Sequence, residues 1–205
     1  IVLVNPNNPT GIEYPPETIS QFYDLCVRSN IQLIIDETYK DFNISDNPPH
    51  DIFLKPNWSN NFMLLYSFSK EIEKFLDTST ICPNQIGQHA ALFGLKKLSY
   101  WVQEQRLDLL KRRESLERGF EDLESDGWVL RGLGAYFAYL EYPFTISSRE
   151  LSKRLLEEKG VLTVPGALFS NKTEAAANRF LRVAFANISL NDIQILFQRL
   201  KSFKL

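Results

Sequence analysis

The stretch Ile31–Tyr39, "IQLIIDETY", decides the fold. An apolar run rich in β-branched residues passes, with no turn residue between, into Asp36-Glu37-Thr38-Tyr39. Such a run reads as a buried strand whose polar residues gather at its carboxyl end. The same construction occurs twice more. "IVLV" (Ile1–Val4) ends in "NPNNPTG" (Asn5–Gly11), and "FMLLY" (Phe62–Tyr66) ends in "SFSK" (Ser67–Lys70). Between the first two runs, Pro15 and Pro16 sit where a helix can begin, because its first turn needs no backbone N–H. Ile19, Phe22, Tyr23, Cys26 and Val27 then recur at helical spacing. A polar, Pro-containing loop follows from about Asn43 to Asn61. Strand, helix, strand, long connection, strand predicts a parallel sheet covered by helices.

That topology carries an expectation about function. Open parallel sheets bind ligands outside the carboxyl ends of their strands. The clusters Asn5–Gly11, Asp36–Tyr39 and Ser67–Lys70 are therefore expected on one edge, where a carboxylate, a phenol, an amide, hydroxyls and a lysine would converge.

The second half is built differently. Leu95, Leu98, Val102, Leu109, Leu116, Phe120 and Leu123 form a helical stripe, with Glu, Arg, Lys and Asp on the other faces, so one long helix or two in series joins two lobes. "GWVLRG" and "AYFAYLEYP" read as a strand pair with Gly132 and Gly134 between them. "SRELSKRLLEEKG" is a helix capped by Ser147 or Ser148 and stopped by Gly160. "VLTVPG" and "RFLRVAFA" read as strands, and a last amphipathic helix begins after Ser189.

Composition narrows the function classes. With 205 residues, 44% hydrophobic and 23% charged, the chain is ordinary globular material, and its net charge of −2 gives no reason to expect a nucleic-acid partner. No apolar run approaches the roughly 18 residues of a membrane span. Two cysteines, Cys26 and Cys82, are too few for a disulfide framework and point to a reducing, cytoplasmic setting. Cys26 belongs to a helix's apolar face. His50 is read as lying in a polar loop and His89 on a helix, neither with a metal-ligand set around it.

Taken in order, "NPNNPTG", "IIDETY", "SFSK" and "FLRVAFA" resemble the class I/II aminotransferases, the fold-type I pyridoxal-phosphate enzymes. "GAYFAYLEYP" and "GVLTVPGALF" resemble segments of that family's small domain. The resemblance implies an α/β fold: a partial, mostly parallel sheet of the large cofactor-binding domain over residues 1–100. An interdomain helix and a small α+β C-terminal domain follow over 101–205. It implies pyridoxal 5'-phosphate as cofactor and amino acids and 2-oxo acids as substrates. Lys70 would carry the cofactor as a Schiff base and move the substrate's proton, since a lysine amine is readily made neutral. Asp36 would pair with the pyridine nitrogen, and Asn8 and Tyr39 with the phenolic oxygen. Ser67 and Ser69 would meet the phosphate, Ser67 the better match. Arg182 would bind the substrate carboxylate with its two-bond fork, and Asn8 would contact the substrate as well. Arg179 is read as a surface residue.

The sequence also departs from the family pattern. After the lysine the family continues with a Gly-rich stretch and a phosphate-binding arginine, roughly "GxRxG". Here Lys70 runs directly into "EIEKFLDTST". A block of about twenty residues, the scale of a strand and its loops, is absent at that point. The chain also opens inside a strand at Ile1, so it is expected to be the C-terminal portion of a longer parent, itself a homodimer. Weak cofactor binding and little activity are expected of the chain alone. Two other readings remain: a lyase or decarboxylase of the same fold, and a non-catalytic truncated homologue.

Overall fold

The computed structural model describes residues 1–45, 47–66, 85–170 and 178–205. They divide into two compact units. One comprises Ile1–Pro6 and Glu13–Asp108, the other Asn7–Ile12 and Leu109–Leu205.

In the first unit, β1 (Val2–Val4), β2 (Leu33–Asp36) and β3 (Phe62–Leu65) form a sheet in the order β1-β2-β3. Both pairings are parallel, with Leu3 opposite Ile35 and Leu33 opposite Phe62. The two-residue alternation of strands puts these four on one face. There they meet Ile19, Tyr23 and Cys26 of α1 (Pro16–Ser29) in one apolar cluster. Proline in the first turn starts α1, and Asn30, left-handed at φ 51°, ends it. On the other face Val2, Ile34 and Met63 lie in register, with Val2 and Met63 exposed.

The loop after β2 is more ordered than its polarity implies. It forms three single 3-10 turns, Lys40–Phe42, Ile52–Leu54 and Trp58–Asn60, and buries Ile52 completely. Arg106 fastens its start, donating from Nε to the Asn43 carbonyl at 2.8 Å and from Nη2 to that of Ile44 at 2.7 Å. The expected helical stripe is two helices, α2 (Gln85–Lys97) and α3 (Ser99–Glu124). Its apolar residues are unequal: Leu109, Leu116, Phe120 and Leu123 are buried, whereas α2 buries none and Leu95 is exposed. Among the described residues no helix is long and apolar enough to cross a membrane.

The second unit holds a four-stranded antiparallel sheet in the order β4-β5-β7-β6, from β4 (Val129–Gly134), β5 (Phe137–Glu141), β6 (Val164–Pro165) and β7 (Phe180–Ala184). Its core includes Trp128, Leu140, Tyr142 and Phe185, with Leu151 of α4 (Ser148–Lys159) and Ile193 of α5 (Leu190–Lys201). Ser147 caps α4 and Gly160 stops it in the left-handed region at φ 62°. Ser189 and Asp192 form a reciprocal capping box on α5.

Two strand expectations change. Gly132 and Gly134 lie inside β4, not in the turn, which Ala135 makes at φ 45°. A β-carbon on Gly132 would strike the Thr10 carbonyl, and one on Gly134 the Gly11 carbonyl. Bare backbone is therefore needed where segment 7–12 lies on β4. "VLTVPG" contributes only Val164–Pro165 as strand.

Candidate functional site

Asp36 and Tyr39 fall in the first unit, Asn8 and Arg182 in the second, and Ser67, Ser69 and Lys70 lie outside the described residues.

Because the strands of the first sheet run parallel, its carboxyl edge gathers Asn5, Asp36 and Tyr66. Asn5 is 1% exposed and ties two segments together. Its N–H donates to the Asp36 carbonyl at 2.8 Å, and its Oδ1 accepts from Tyr14 N at 2.8 Å. Asp36 Oδ1 accepts from Thr38 N at 3.0 Å and from Thr38 Oγ1 at 2.6 Å. This small turn directs the carboxylate, and Oδ2 receives no hydrogen bond from the described residues. Tyr39 is buried three residues on. Tyr66 donates to Asp41 Oδ2, and Lys40 Nζ sits 4.4 Å from the Tyr66 ring centre.

Between Asp36 and Tyr39, Glu37 turns inward. Its Oε1 lies 3.0 Å from His50 Nε2, a close polar contact not aligned as a hydrogen bond. Both side chains are almost wholly buried. His50 Nδ1 accepts from Ile52 N at 3.3 Å, so Nε2 is the nitrogen that faces Glu37. The Phe62 ring meets the imidazole edge-on at 5.3 Å. This corrects the reading of His50 as a polar-loop residue: the loop folds back over its own strand and buries it.

In the second unit, Arg182 occupies the middle of β7, opposite Tyr139 on β5 and Val164 on β6. Its neighbours Leu181 and Val183 point into the core, so alternation turns Arg182 to the other face. Its Nη1 donates to Asn8 Oδ1 at 2.8 Å. Segment 7–12 that carries Asn8 is a closed turn. Asn7 Oδ1 accepts from Thr10 Oγ1 at 2.8 Å, Gly11 N donates to the Asn7 carbonyl at 2.6 Å, and Asn7 N donates to the Ile12 carbonyl at 2.9 Å. Gly11 completes it at φ 71°. The guanidinium lies over two rings, 4.5 Å from the centre of Phe137 and 4.9 Å from that of Phe169. Burial raises the Tyr139 phenol above its ordinary value, keeping it neutral beside Arg182.

The structure thus brings Asn8 and Arg182 together from 174 residues apart and arms Asp36 with Thr38. Sequence reasoning missed Phe137, Phe169, Thr38 and the Glu37–His50 pair. The two phenylalanines stood inside segments already marked by resemblance; what hid them was the register that sets them against Arg182.

The sequence profile of the family described as Aminotransferase class I and II matches residues 1–73 and 74–200. The chain belongs to this family. The two matched pieces abut at Glu73 and Lys74, just beyond the point where the sequence departs from the family pattern. An aspartate aminotransferase of Sulfurisphaera tokodaii is 26% identical over 99% of the chain and 55% of its own length. An aromatic aminotransferase of Arabidopsis thaliana is 24% identical over 98% of the chain and 54% of its length. Among solved structures, an aminotransferase from Mycobacterium tuberculosis superposes with a TM-score of 0.79 at 26% identity, covering 98% of the chain and 56% of the other. A PLP-bound structure from Clostridium difficile 630 reaches 0.80 at 16% identity, with 98% and 57% coverage, and shares the fold. This aminotransferase-family chain spans about half the length of the curated relatives it matches.

Proposed function

We propose that the chain is part of a pyridoxal 5'-phosphate-dependent aminotransferase that moves an amino group between an L-amino acid and a 2-oxo acid. The observation that carries this reading is the Asn8–Arg182 hydrogen bond, made between the two most distant family motifs. The match of the family profile along the chain and the PLP-bound structural neighbour support it.

The donor set fits the cofactor. Asp36 has an oxygen that receives no hydrogen bond from the described residues, and Asn8, its Oδ1 engaged by Arg182, keeps an amide N–H₂ with which to donate. When bound, the cofactor supplies an electron sink for the charge left at the substrate's Cα. Lys70 would hold it through its amine and would carry the proton at Cα. Asp36 keeps the ring nitrogen protonated by a charge-assisted bond, a contact worth about 1.5–3 kcal/mol. Asn8 and Tyr39 hold the phenolic oxygen, Ser67 and Ser69 the phosphate. Arg182 grips the substrate carboxylate with parallel bonds that a lysine cannot make. The antiparallel unit is then the family's small α+β domain, with the division near residue 100. The longer parent is a homodimer, and the scarcity of cysteine supports a cytoplasmic setting.

The test is visible absorbance after adding pyridoxal phosphate to the purified chain, beside Lys70→Ala. A band present in the first and absent from the second is expected. Identical spectra would remove Lys70 from this role. Amino-donor assays on the longer parent then distinguish transfer from lyase or decarboxylase chemistry.

A further inference from the structure

Among the described residues, two kinds of contact are seen at Arg182. Its Nη1 donates to Asn8 Oδ1 at 2.8 Å, in the plane of the guanidinium. Its Cζ lies 4.5 Å from the ring centre of Phe137 and 4.9 Å from that of Phe169. A guanidinium over a ring face is held by the attraction between its charge and the ring quadrupole, and this uses none of its N–H donors. Ring contacts therefore restrain the side chain without using its N–H edges, and a planar fork matches a carboxylate best when its plane is set beforehand.

The two rings differ in origin. Phe137 begins β5, opposite Ala184 of β7, and is 6% exposed, so it belongs to the sheet's packing. Phe169 is 38% exposed and follows the short turn Gly166–Leu168, closed by a 2.9 Å bond from Phe169 N to the Gly166 carbonyl. That turn leaves β6 at Pro165, which pairs with Leu181 next to Arg182. Core packing does not require a large ring at a site this exposed, whereas the contact with Arg182 does.

We infer that Phe169 is a positioning residue: with Phe137 it sets the plane of the Arg182 guanidinium and holds it ready for a carboxylate. The ligand class rests on the reading of Arg182 given above; the positioning rests on the ring contacts.

The experiment records the arginine Nε–Hε signals of the full ¹⁵N-labelled chain, with Arg182 assigned by its loss in Arg182→Lys. Protons held over ring faces are shielded, so the Arg182 signals of the wild type are expected upfield of the other arginines. Phe169→Leu should return them toward the common position, and Phe169→Tyr should leave them in place. Wild-type signals at the common position, or signals unmoved by Phe169→Leu, would overturn the inference, and the wild-type spectrum decides this even if a variant folds poorly. Pyruvate is then titrated as a simple 2-oxo acid. Binding to Phe169→Leu about three- to thirtyfold weaker, restored in Phe169→Tyr, is expected from the size of a cation–π contact. Pyruvate that shifts the Arg182 signals and binds wild type and Phe169→Leu equally well would overturn the inference. If pyruvate leaves Arg182 unmoved while the ring shifts behave as expected, the positioning stands and the carboxylate role of Arg182 falls.

Discussion

Removing His50 is expected to damage the first unit far more than neutralising its partner. Glu37 and His50 face each other at 3.0 Å with side chains only 3% and 2% exposed. His50→Ala would leave the buried Glu37 carboxylate without that polar neighbour, and a buried polar group left unpaired costs about 1–3 kcal/mol, more when charged. The imidazole also packs on Phe62 at 5.3 Å and Phe53 at 5.5 Å, and aromatic contacts of this kind add about 0.5–1.5 kcal/mol. Glu37→Gln keeps the shape and an acceptor oxygen while removing the charge, so it should cost about 1 kcal/mol or less. Replacing both, Glu37→Met with His50→Leu, should recover much of the His50→Ala loss. The assay is amide hydrogen exchange of β2, whose protection reports opening of this sheet. Three kcal/mol corresponds to exchange faster by about a hundredfold or more, against less than about tenfold for Glu37→Gln. Equal, small effects of His50→Ala and Glu37→Gln would refute the reasoning and reduce His50 to a space-filling ring.

Other expectations follow from the second unit. Gly134→Ala would drive a β-carbon into the Gly11 carbonyl, a backbone atom that cannot rotate aside. A loss of about 1–3 kcal/mol in chemical denaturation is expected, with a shifted Asn8 side-chain amide signal. The Tyr142 phenol is pushed up to about 12, chiefly by burial, with the Arg179 charge opposing. The unfolded chain ionises near the ordinary value of 10.0, so stability should hold below it, fall between 10.0 and about 12, then level off. Tyr142→Phe should flatten this alkaline slope in a pH series of urea midpoints, whose full drop is on the order of 2 kcal/mol or less once solvent screening is allowed for. Ser189→Ala removes half of the α5 capping box and should cost about 1 kcal/mol in the same assay. Bonds from Ser189 hold the Asp192 carboxyl below the ordinary carboxylate range, so its contribution is present above that range and lost as pH falls through it.

Local signals were legible where the chain solves its own problem. Pro16 starts α1, Ser147 and Gly160 bound α4, and Ser189 opens α5, because each satisfies or terminates a helix end with groups a few residues away. The apolar runs of β1, β2 and β3 announced a parallel sheet, although the face that carries Val2 and Met63 is exposed. Legibility failed where a distant segment set the local structure. Gly132 and Gly134 look like a turn, yet they are strand residues kept bare by segment 7–12. Leu95 fits the helical stripe but is exposed, since periodicity says which residues share a face and not whether that face is covered.

By itself the sequence determined the three parallel strands, the helix caps, the family and the residue types offered for chemistry, all of which depend on near neighbours or on the order of motifs. Only the tertiary structure decided that Arg182 meets Asn8 and lies over Phe137 and Phe169, and that His50 is buried against Glu37. Those contacts depend on strand register and on loop return across long separations, where no local propensity operates and burial selects the partner.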